Sequence, residues 1–169
     1  DKVAVVVSGH TTTITQTAGL RLPVKSFNLA AFVSEPVKPL INVIVNCPDL
    51  GVYLNQSDKG ELVIGGAPDP GQSFRRDMKQ NVFEDAVVNM LELFPAFRRL
   101  KLLRQWGGVL DIAHDATPII STTDIPGLFV SCGWWGGFKA VPAGGYSLAH
   151  LIATGQPHNV AAPFTLDRF

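Results

Sequence analysis

The sequence predicts an α+β fold in which a mostly antiparallel sheet is covered by a helix. Three or four strand-like segments fill the first 66 residues with no helical pattern between them. The hydrophobic period then changes to that of an amphipathic helix, and a strand, a glycine-rich loop and a second helix follow near the C-terminus. Strands that follow one another without a crossover helix pair antiparallel, so this arrangement is expected for the sheet.

Composition limits the classes of protein that the chain can belong to. Its 169 residues carry 14 Lys and Arg against 14 Asp and Glu, so the net charge is +0 and no basic face points to nucleic acid or an anionic membrane as a partner. Hydrophobic residues make up 46%, which excludes disorder, and no apolar run is long enough to span a membrane. Charged residues reach only 17%, against about 25% in a typical domain. We therefore expect part of the surface to be covered by a partner.

Neither a metal site nor a disulfide is expected. Cys47 and Cys132 are isolated thiols without a CxxC pattern, and they are interpreted as small buried hydrophobic residues. The four histidines show no HxH or HExxH spacing. The N-terminal Asp1-Lys2-Val3 shows no secretory signal, and a cytoplasmic location is the default expectation.

Strand patterns begin at the N-terminus. Val3–Val7 is an apolar run that predicts a buried strand, and residues 9–12 follow it without a helical pattern. Residues 27–34 alternate as a half-covered strand does, and Ile41–Val45 is a further β-branched run. The predicted apolar face of the alternating strand consists of Phe27, Leu29, Ala31 and Val33.

A hairpin is the strongest local prediction. Val52–Gln56 and Glu61–Gly65 flank the four-residue polar loop Ser57–Gly60, which ends in the glycine that such a turn commonly needs.

The covering helix follows a loop over residues 66–76. Asp77 and Gln80 have the spacing of a capping box, and Pro95 ends the helical pattern. The apolar stripe is interpreted as core rather than as a cofactor site. Its members are Met78, Val82, Phe83, Ala86, Val87, Met90, Leu91 and Phe94.

The C-terminal part returns to strands and ends in a helix. Leu100–Ile112 and Leu128–Cys132 are predicted strands, and the second strand leads into the glycine-rich loop 133–139. A helix is predicted from Pro142 to Gly155, with Gly155 at its C′ position, and residues 156–169 are expected to be an extended tail.

The succession of strand, glycine loop and helix N-terminus over 128–154 is the most informative candidate site. Glycines allow a ligand to approach the backbone, and a helix N-terminus favours an anion or an anionic ring edge. The pattern is neither GxGxxG nor GxxxxGK[ST], and a tight turn with close packing explains it equally well. Lys139 could bind a substrate carboxylate or be a solvated surface lysine, and Trp134 and Trp135 could line a pocket or lie in the core.

Other chemical patterns are weaker. Asp111, His114 and Asp115 form an acidic–histidine cluster, but Asp115-Ala-Thr-Pro118 is interpreted as a turn in which Asp115 binds its own backbone two residues on. No GxSxG elbow exists, so a serine hydrolase is not expected.

Taken together, the segments resemble the C-terminal half of flavin-dependent amine oxidases of the glycine oxidase/D-amino-acid oxidase group, and among them the beta subunits of heterotetrameric sarcosine oxidases. The resemblance runs from Val5 to Phe169 and depends on the order and spacing of several stretches. They are Ala18-Gly-Leu-Arg-Leu-Pro23, Val33-Ser-Glu-Pro36, Gln56-Ser-Asp-Lys-Gly-Glu-Leu-Val-Ile-Gly65, Leu103-Arg-Gln-Trp-Gly-Gly108, Asp115-Ala-Thr-Pro-Ile-Ile120, Gly127-Leu-Phe-Val130, Cys132-Gly-Trp134, Gly136-Gly-Phe-Lys-Ala140 and Ala162-Pro-Phe-Thr-Leu-Asp-Arg-Phe169.

This resemblance implies a domain organisation. Residues 1–10 would be a late strand of an FAD-binding domain, 11–112 a substrate domain, 113–155 the return to the FAD-binding domain and 156–169 the tail. In the family the first half carries the GxGxxG phosphate loop and the site of covalent FMN attachment, and neither occurs in these residues. The implied partners are therefore the FAD-binding half or other oxidase subunits, and self-association of the chain alone is expected.

The resemblance also implies a site and a reaction. Gly133, Trp134, Gly136, Gly137, Phe138 and Lys139 would contact FAD, and Lys139 would also hold the carboxylate of a small amino-acid substrate. The implied reaction is oxidation of sarcosine or a similar N-methyl amino acid, followed by imine hydrolysis and reoxidation of the flavin by oxygen. The loop Gly133-Trp-Trp-Gly136 departs from the family pattern Gly-Trp-Gly-Thr-Gly by one missing residue and one extra indole.

Two other functions are open from the sequence. One is a non-catalytic folded fragment that acts as an assembly or binding module, and the other is an unrelated binder of a small ligand. Because GxGxxG is absent, we predict that this chain is catalytically incomplete on its own.

Overall fold

The computed structural model describes residues 1–169, which form eight strands and three α-helices. Two compact units contain them, a central unit of residues 28–109 and a terminal unit of residues 1–27 and 110–169. The assignment of a substrate domain and an FAD-binding domain to parts of the chain stays a prediction. In chain order the elements are β1 (Val3–Val5), α1 (Thr11–Thr17), β2 (Val24–Pro36), β3 (Val45–Cys47), β4 (Val52–Gln56), β5 (Glu61–Gly65), α2 (Gln80–Leu93), β6 (Leu102–Ala113), β7 (Ile119–Thr122), β8 (Leu128–Cys132) and α3 (Val141–Thr154).

The central unit contains an antiparallel sheet with the strand order β3-β4-β5-β2-β6. β4 pairs antiparallel with β3 and β5, and β5 pairs antiparallel with β2. The hairpin is confirmed with the predicted bounds, and Gly60 in its turn has φ +98°. The predicted α+β fold with a mostly antiparallel sheet is therefore confirmed.

One face of this sheet forms the core of the central unit. Phe32, Leu54 and Ile64 lie at matching positions of three neighbouring strands and are each 0% exposed. Ala86 and Met90 of α2 pack in the same cluster, so the apolar stripe of the helix is core, as predicted. Burial on this scale is the main stabilising contribution of the unit.

The capping box predicted for α2 is wrong. The helix begins at Gln80, and no side chain caps it. The Asp77 carboxylate instead forms an ion pair with Arg75, and the Gln80 amide donates a hydrogen bond to Glu84 at 2.7 Å. Both side chains have found partners that the spacing alone does not reveal.

The predicted strand Ile41–Val45 is also wrong over most of its length, because β3 begins only at Val45. The Gln56 side chain provides the reason. Its Oε1 accepts the N–H groups of Leu40 and Ile41 at 2.7 and 3.1 Å, and these donors are therefore bound to a side chain rather than to a neighbouring strand.

The terminal unit contains a three-stranded sheet with the order β1-β8-β7. β1 is parallel to β8, with Val3 opposite Leu128, and β7 is antiparallel to β8. Both faces of β7 and β8 are buried. Ile119 and Val130 pack on one face, and Phe129 packs on the other face with Leu148 of α3.

Three N- and C-terminal predictions need correction. The strand ends at Val5 and lies at the edge of the sheet, so Val3 and Val6 are 58% and 57% exposed rather than buried. Thr11–Thr17 form a helix despite their β-branched side chains, and the Thr11 hydroxyl donates to the Ser8 carbonyl at 2.6 Å. The tail is not extended but forms two 3-10 turns. None of the helices has the length and apolar character needed to cross a membrane.

Candidate functional site

The glycine loop leaves the sheet of the terminal unit at the end of β8. Gly133 has φ +73° and Gly136 φ +69°, and the Trp135 N–H donates to the Gly133 carbonyl at 2.9 Å. A 3-10 turn over Gly137–Lys139 then leads into α3, which begins at Val141, one residue before the predicted start. Residues other than glycine rarely adopt such positive φ values. The predicted succession of strand, glycine loop and helix is thus confirmed.

The N-terminus of α3 carries the partial positive charge of a helix end, and no side chain caps it. The first turn of this 14-residue helix contains no acidic residue. The N–H groups of a first helical turn have no partner within the helix, and together they carry a partial positive charge. An anionic group beside this end of α3 would therefore be stabilised.

The two neighbouring tryptophans have different environments. Trp134 is half-buried, its indole Nε1 donates to Ser131 Oγ at 3.0 Å, and its ring packs with the core that includes α3. Trp135 is 48% exposed. The first indole therefore fixes the loop to the sheet and the helix, whereas the extra indole at 135 is free to meet a ligand or a partner.

Phe138 and Lys139 are both on the open side of the loop. Phe138 is 92% exposed, which is unusual for an aromatic side chain in a folded domain. Lys139 is exposed and forms no salt bridge, and its Nζ lies 3.3 Å from the Gly136 carbonyl as its hydrogen-bond partner. This ammonium is available to bind an anion, because it would have to give up only this contact with its own loop.

Asp111 contacts the glycine loop, whereas the sequence analysis grouped it with His114 and Asp115. It is 1% exposed, and its Oδ2 accepts the Gly133 N–H at 2.9 Å and the Thr11 hydroxyl at 3.1 Å. The predicted cluster with His114 and Asp115 does not exist as one site. Asp115 forms an ion pair with Arg168, and the His114 ring meets Phe169.

The neighbouring thiol is chemically inert. Burial, followed by the negative charge of Asp111, raises the pKa of Cys132 to about 12. The thiol therefore stays protonated near neutral pH and cannot act as a nucleophile or a thiolate ligand. Cys47 and Cys132 are both free, with Cys132 buried as predicted and Cys47 half-buried. No group of three or more His, Cys, Asp or Glu side chains lies close enough to hold a metal ion.

The central unit has its own concave surface on the sheet face opposite α2. The groove measures about 620 Å³, and Val33, Val63, Lys59, Glu61, Arg104 and Trp106 are among the residues that line it. On the same face the Tyr53 ring lies over Gly65, where an added Cβ would come within 2.1 Å of the ring, and burial raises the pKa of Tyr53.

Comparison with known proteins identifies the class of protein that this fold and loop define. The family model of FAD-dependent oxidoreductases (DAO) matches residues 1–151, and the chain belongs to this family. Its curated relatives include sarcosine oxidase subunit beta of Rhodobacter capsulatus, 46% identical over 169 residues, and that of an Arthrobacter species, 43% identical. The match covers 99% of this chain but only 41% and 42% of those relatives.

A solved structure gives the same fold. The L-proline dehydrogenase from P. horikoshii superposes with a TM-score of 0.90 at 24% identity, over 99% of this chain and 46% of that one. At this identity the likeness establishes the fold and nothing more specific. The chain thus spans less than half the length of each of these three proteins.

Proposed function

We propose that this chain is part of a flavin-dependent oxidase of sarcosine or a similar N-methyl amino acid. The observation that carries the proposal is the glycine loop, which has two left-handed glycines and leads directly into the uncapped N-terminus of α3. The loop belongs to a chain of the FAD-dependent oxidoreductase family, and beta subunits of sarcosine oxidases are among its relatives. On its own the chain is catalytically incomplete.

The residues of the loop suit the ring system of FAD. Gly136 and Gly137 have no side chains to obstruct a planar group, and the exposed Phe138 offers apolar contact. Gly133 and the indole of Trp134 keep this backbone in place, and Lys139 contributes a cation. These residues do not include the GxGxxG loop that usually binds the pyrophosphate of FAD. The fit is therefore to the flavin ring, and the nucleotide part needs another segment.

FAD, when bound, would supply the acceptor for a hydride from the N-methyl carbon and pass the electrons to oxygen. The N-terminus of α3 stabilises negative charge that develops next to it. Lys139 binds the substrate carboxylate as a point charge and so orients the amino acid. Hydrolysis of the resulting imine would give glycine and formaldehyde.

The proposed partners are the FAD-binding half and other subunits of the oxidase. β1 is an edge strand in which Val3 is exposed, and Val6 and Val7 just after it are exposed too, so an added strand or subunit would cover these side chains. The relatives at 46% and 43% identity are themselves subunits, which supports an assembly of several chains. The cytoplasm is the proposed location.

Two measurements test this function. The isolated chain should show no stoichiometric flavin absorption at about 450 nm. After it is combined with the rest of its protein and the companion subunits, sarcosine should yield hydrogen peroxide. Flavin bound by the isolated chain would contradict the proposed incompleteness. A complete assembly that oxidises no N-methyl amino acid would contradict the oxidase and favour the non-catalytic assembly module.

The role of Lys139 is tested by Lys139→Met in the complete assembly. Loss of a charge-assisted contact should weaken substrate binding by about 1.5–3 kcal/mol, seen as a higher substrate constant. Lys38→Met is the matched control, because Lys38 is also an exposed lysine and lies in the other unit. An unchanged substrate constant for Lys139→Met would remove this assignment.

A further inference from the structure

Asp111 is a carboxylate buried in the terminal unit without a cation. Its exposed fraction is 1%, and none of the three ion pairs of the chain involves it. A carboxylate that has lost its water depends on hydrogen-bond donors from the protein. The donors that reach Asp111 therefore indicate what this residue is for.

The donor from the backbone is Gly133. Its N–H lies 2.9 Å from Asp111 Oδ2. The Thr11 hydroxyl lies 3.1 Å from the same oxygen, but it is also 2.6 Å from the Ser8 carbonyl and has one proton for the two acceptors. Asp111 Oδ1 has no hydrogen-bond partner. The Gly133 N–H is thus the donor that this carboxylate does not share with another acceptor.

Gly133 is the residue at which the chain turns from β8 into the glycine loop. Its φ of +73° is left-handed, and a Cβ at this position would lie 2.8 Å from the Cβ of Ala113. Asp111 and Ala113 both belong to β6, so this strand fixes the start of the loop by a close contact and by a hydrogen bond. Hydrogen bonds to an ionised acceptor are about twice as strong as neutral ones.

We propose that Asp111 is the positioning residue of the glycine loop. Its carboxylate holds the Gly133 N–H and thereby sets the conformation in which residues 133–139 receive their ligand. That this ligand is the flavin ring rests on the proposed function. Asp111 itself lies behind the loop, and it acts through Gly133 without contact with substrate.

Two variants of similar size separate the hydrogen bond from the packing. Asp111→Asn keeps an acceptor oxygen, whereas Asp111→Leu keeps the volume and removes the acceptor. Amide hydrogen exchange is measured in the complete assembly after the flavin has been removed. In the Leu variant, exchange over residues 129–139 should be faster by about tenfold or more, and the Asn variant should restore most of the protection.

Ser26→Ala is the matched control. Its buried hydroxyl donates to the Gly9 carbonyl at 2.7 Å in the same unit, so its loss is also that of a buried hydrogen bond. Exchange in the glycine loop should not change in this control. The proposal is overturned if Asp111→Leu accelerates exchange in the loop no more than Ser26→Ala does, or if Asp111→Asn is as disruptive as Asp111→Leu.

A measurement on the unaltered protein covers the case in which Asp111→Leu does not fold. The Gly133 amide should exchange more slowly than the amides of Gly136 and Gly137, because it alone among them is bound to a buried carboxylate. A Gly133 amide that is no more protected than these two overturns the proposal.

Flavin affinity separates this proposal from the proposed function. In the complete assembly, the dissociation constant of FAD should be about tenfold or more higher for Asp111→Leu than for Asp111→Asn. A loosened loop with unchanged FAD affinity would support the positioning role and contradict the flavin site. An undisturbed loop would contradict the positioning role itself.

Discussion

Arg168 connects the C-terminal turn to the turn that follows β6. Its Nε donates to Asp115 Oδ2 at 2.7 Å and its Nη2 to Asp115 Oδ1 at 3.2 Å, which is a two-pronged contact. The same guanidinium also donates to the carbonyl groups of Thr117 and Thr165. The hydrogen bonds from Arg168 hold the pKa of the Asp115 carboxyl well below its usual range.

Arg168→Ala should lower the melting temperature of the chain, because the tail loses all of these contacts at once. A carboxyl with a lowered folded-state pKa stabilises the fold above its unfolded value of about 3.9, and it loses this contribution as the pH falls further. The difference in melting temperature between the two proteins should therefore be full at neutral pH and shrink below about pH 4.

The control for this prediction is Arg98→Ala, since Arg98 is exposed and forms no salt bridge. It should leave the melting temperature unchanged at every pH. A difference for Arg168→Ala that does not depend on pH would show that the contact with Asp115 is not its cause.

The turn at Asp115 could be predicted from the sequence, but its partner could not. Asp115 Oδ1 accepts the Thr117 N–H at 3.1 Å, as predicted for an aspartate that binds its own backbone two residues on. This contact lies within three consecutive residues. Arg168 is 53 residues away, and nothing in the local pattern connects it with the turn.

At the scale of the element, α3 contains two adjacent glycines with opposite environments. A Cβ on Gly144 would lie 2.3 Å from the Trp134 ring, whereas a Cβ on Gly145 would have no atom within 4 Å. Glycine in a helix interior costs about 1 kcal/mol relative to alanine. Helix propensity therefore favours alanine at both positions. At Gly144, however, the clash with the Trp134 ring outweighs this preference.

Gly145→Ala should raise the free energy of unfolding by up to about 1 kcal/mol, through the helix propensity alone. Gly144→Ala should lower it, since the indole must move and its bond to Ser131 is strained. Chemical denaturation of the two variants side by side is the measurement. Equal effects of the two substitutions would show that Trp134 does not lie against Gly144.

Elements were predictable where their stabilising contacts are local. The hairpin β4–β5 follows from its alternating side chains and the turn glycine, and its bounds agree with the prediction. The sequence does not predict the helix α1, because its threonines have a weak helical preference. Its N-terminus is held instead by contacts of Thr11 with Ser8 and Asp111.

At the scale of the molecule, many exposed apolar side chains accompany a net charge of +0. Leu40, Val43 and Ile44 are 66%, 62% and 66% exposed in the segment that Gln56 holds in place. Exposed apolar groups cost free energy in water, and a neutral molecule has no net repulsion to keep copies apart.

The isolated chain should therefore self-associate near neutral pH. Sedimentation velocity over a concentration series should show oligomers, and the double substitution Leu40→Lys with Ile44→Lys should reduce them. Val88→Lys is the control, since Val88 is 63% exposed on α2, outside this segment. A chain that stays monomeric over the whole series would contradict the prediction.

The candidate site was predictable as a segment but not as an environment. The glycines at 133, 136 and 137 and Lys139 stand in one loop because they are neighbours in sequence. Their order does not show that Trp134 is packed inward while Phe138 is 92% exposed. Asp111 lies 22 residues before Gly133, and only the tertiary fold of the terminal unit brings the two together.

The sequence by itself determined the fold class, the hairpin, the apolar stripe of α2 and the strand, loop and helix around the glycines. Each of these depends on the spacing of residues along a short stretch of chain, which periodicity and turn chemistry record directly. The tertiary structure alone decided which buried groups meet across long separations. Asp111 binds Gly133, Arg168 binds Asp115 and Gln56 holds the segment before β3 because folding brings them together, and no local pattern encodes those distances.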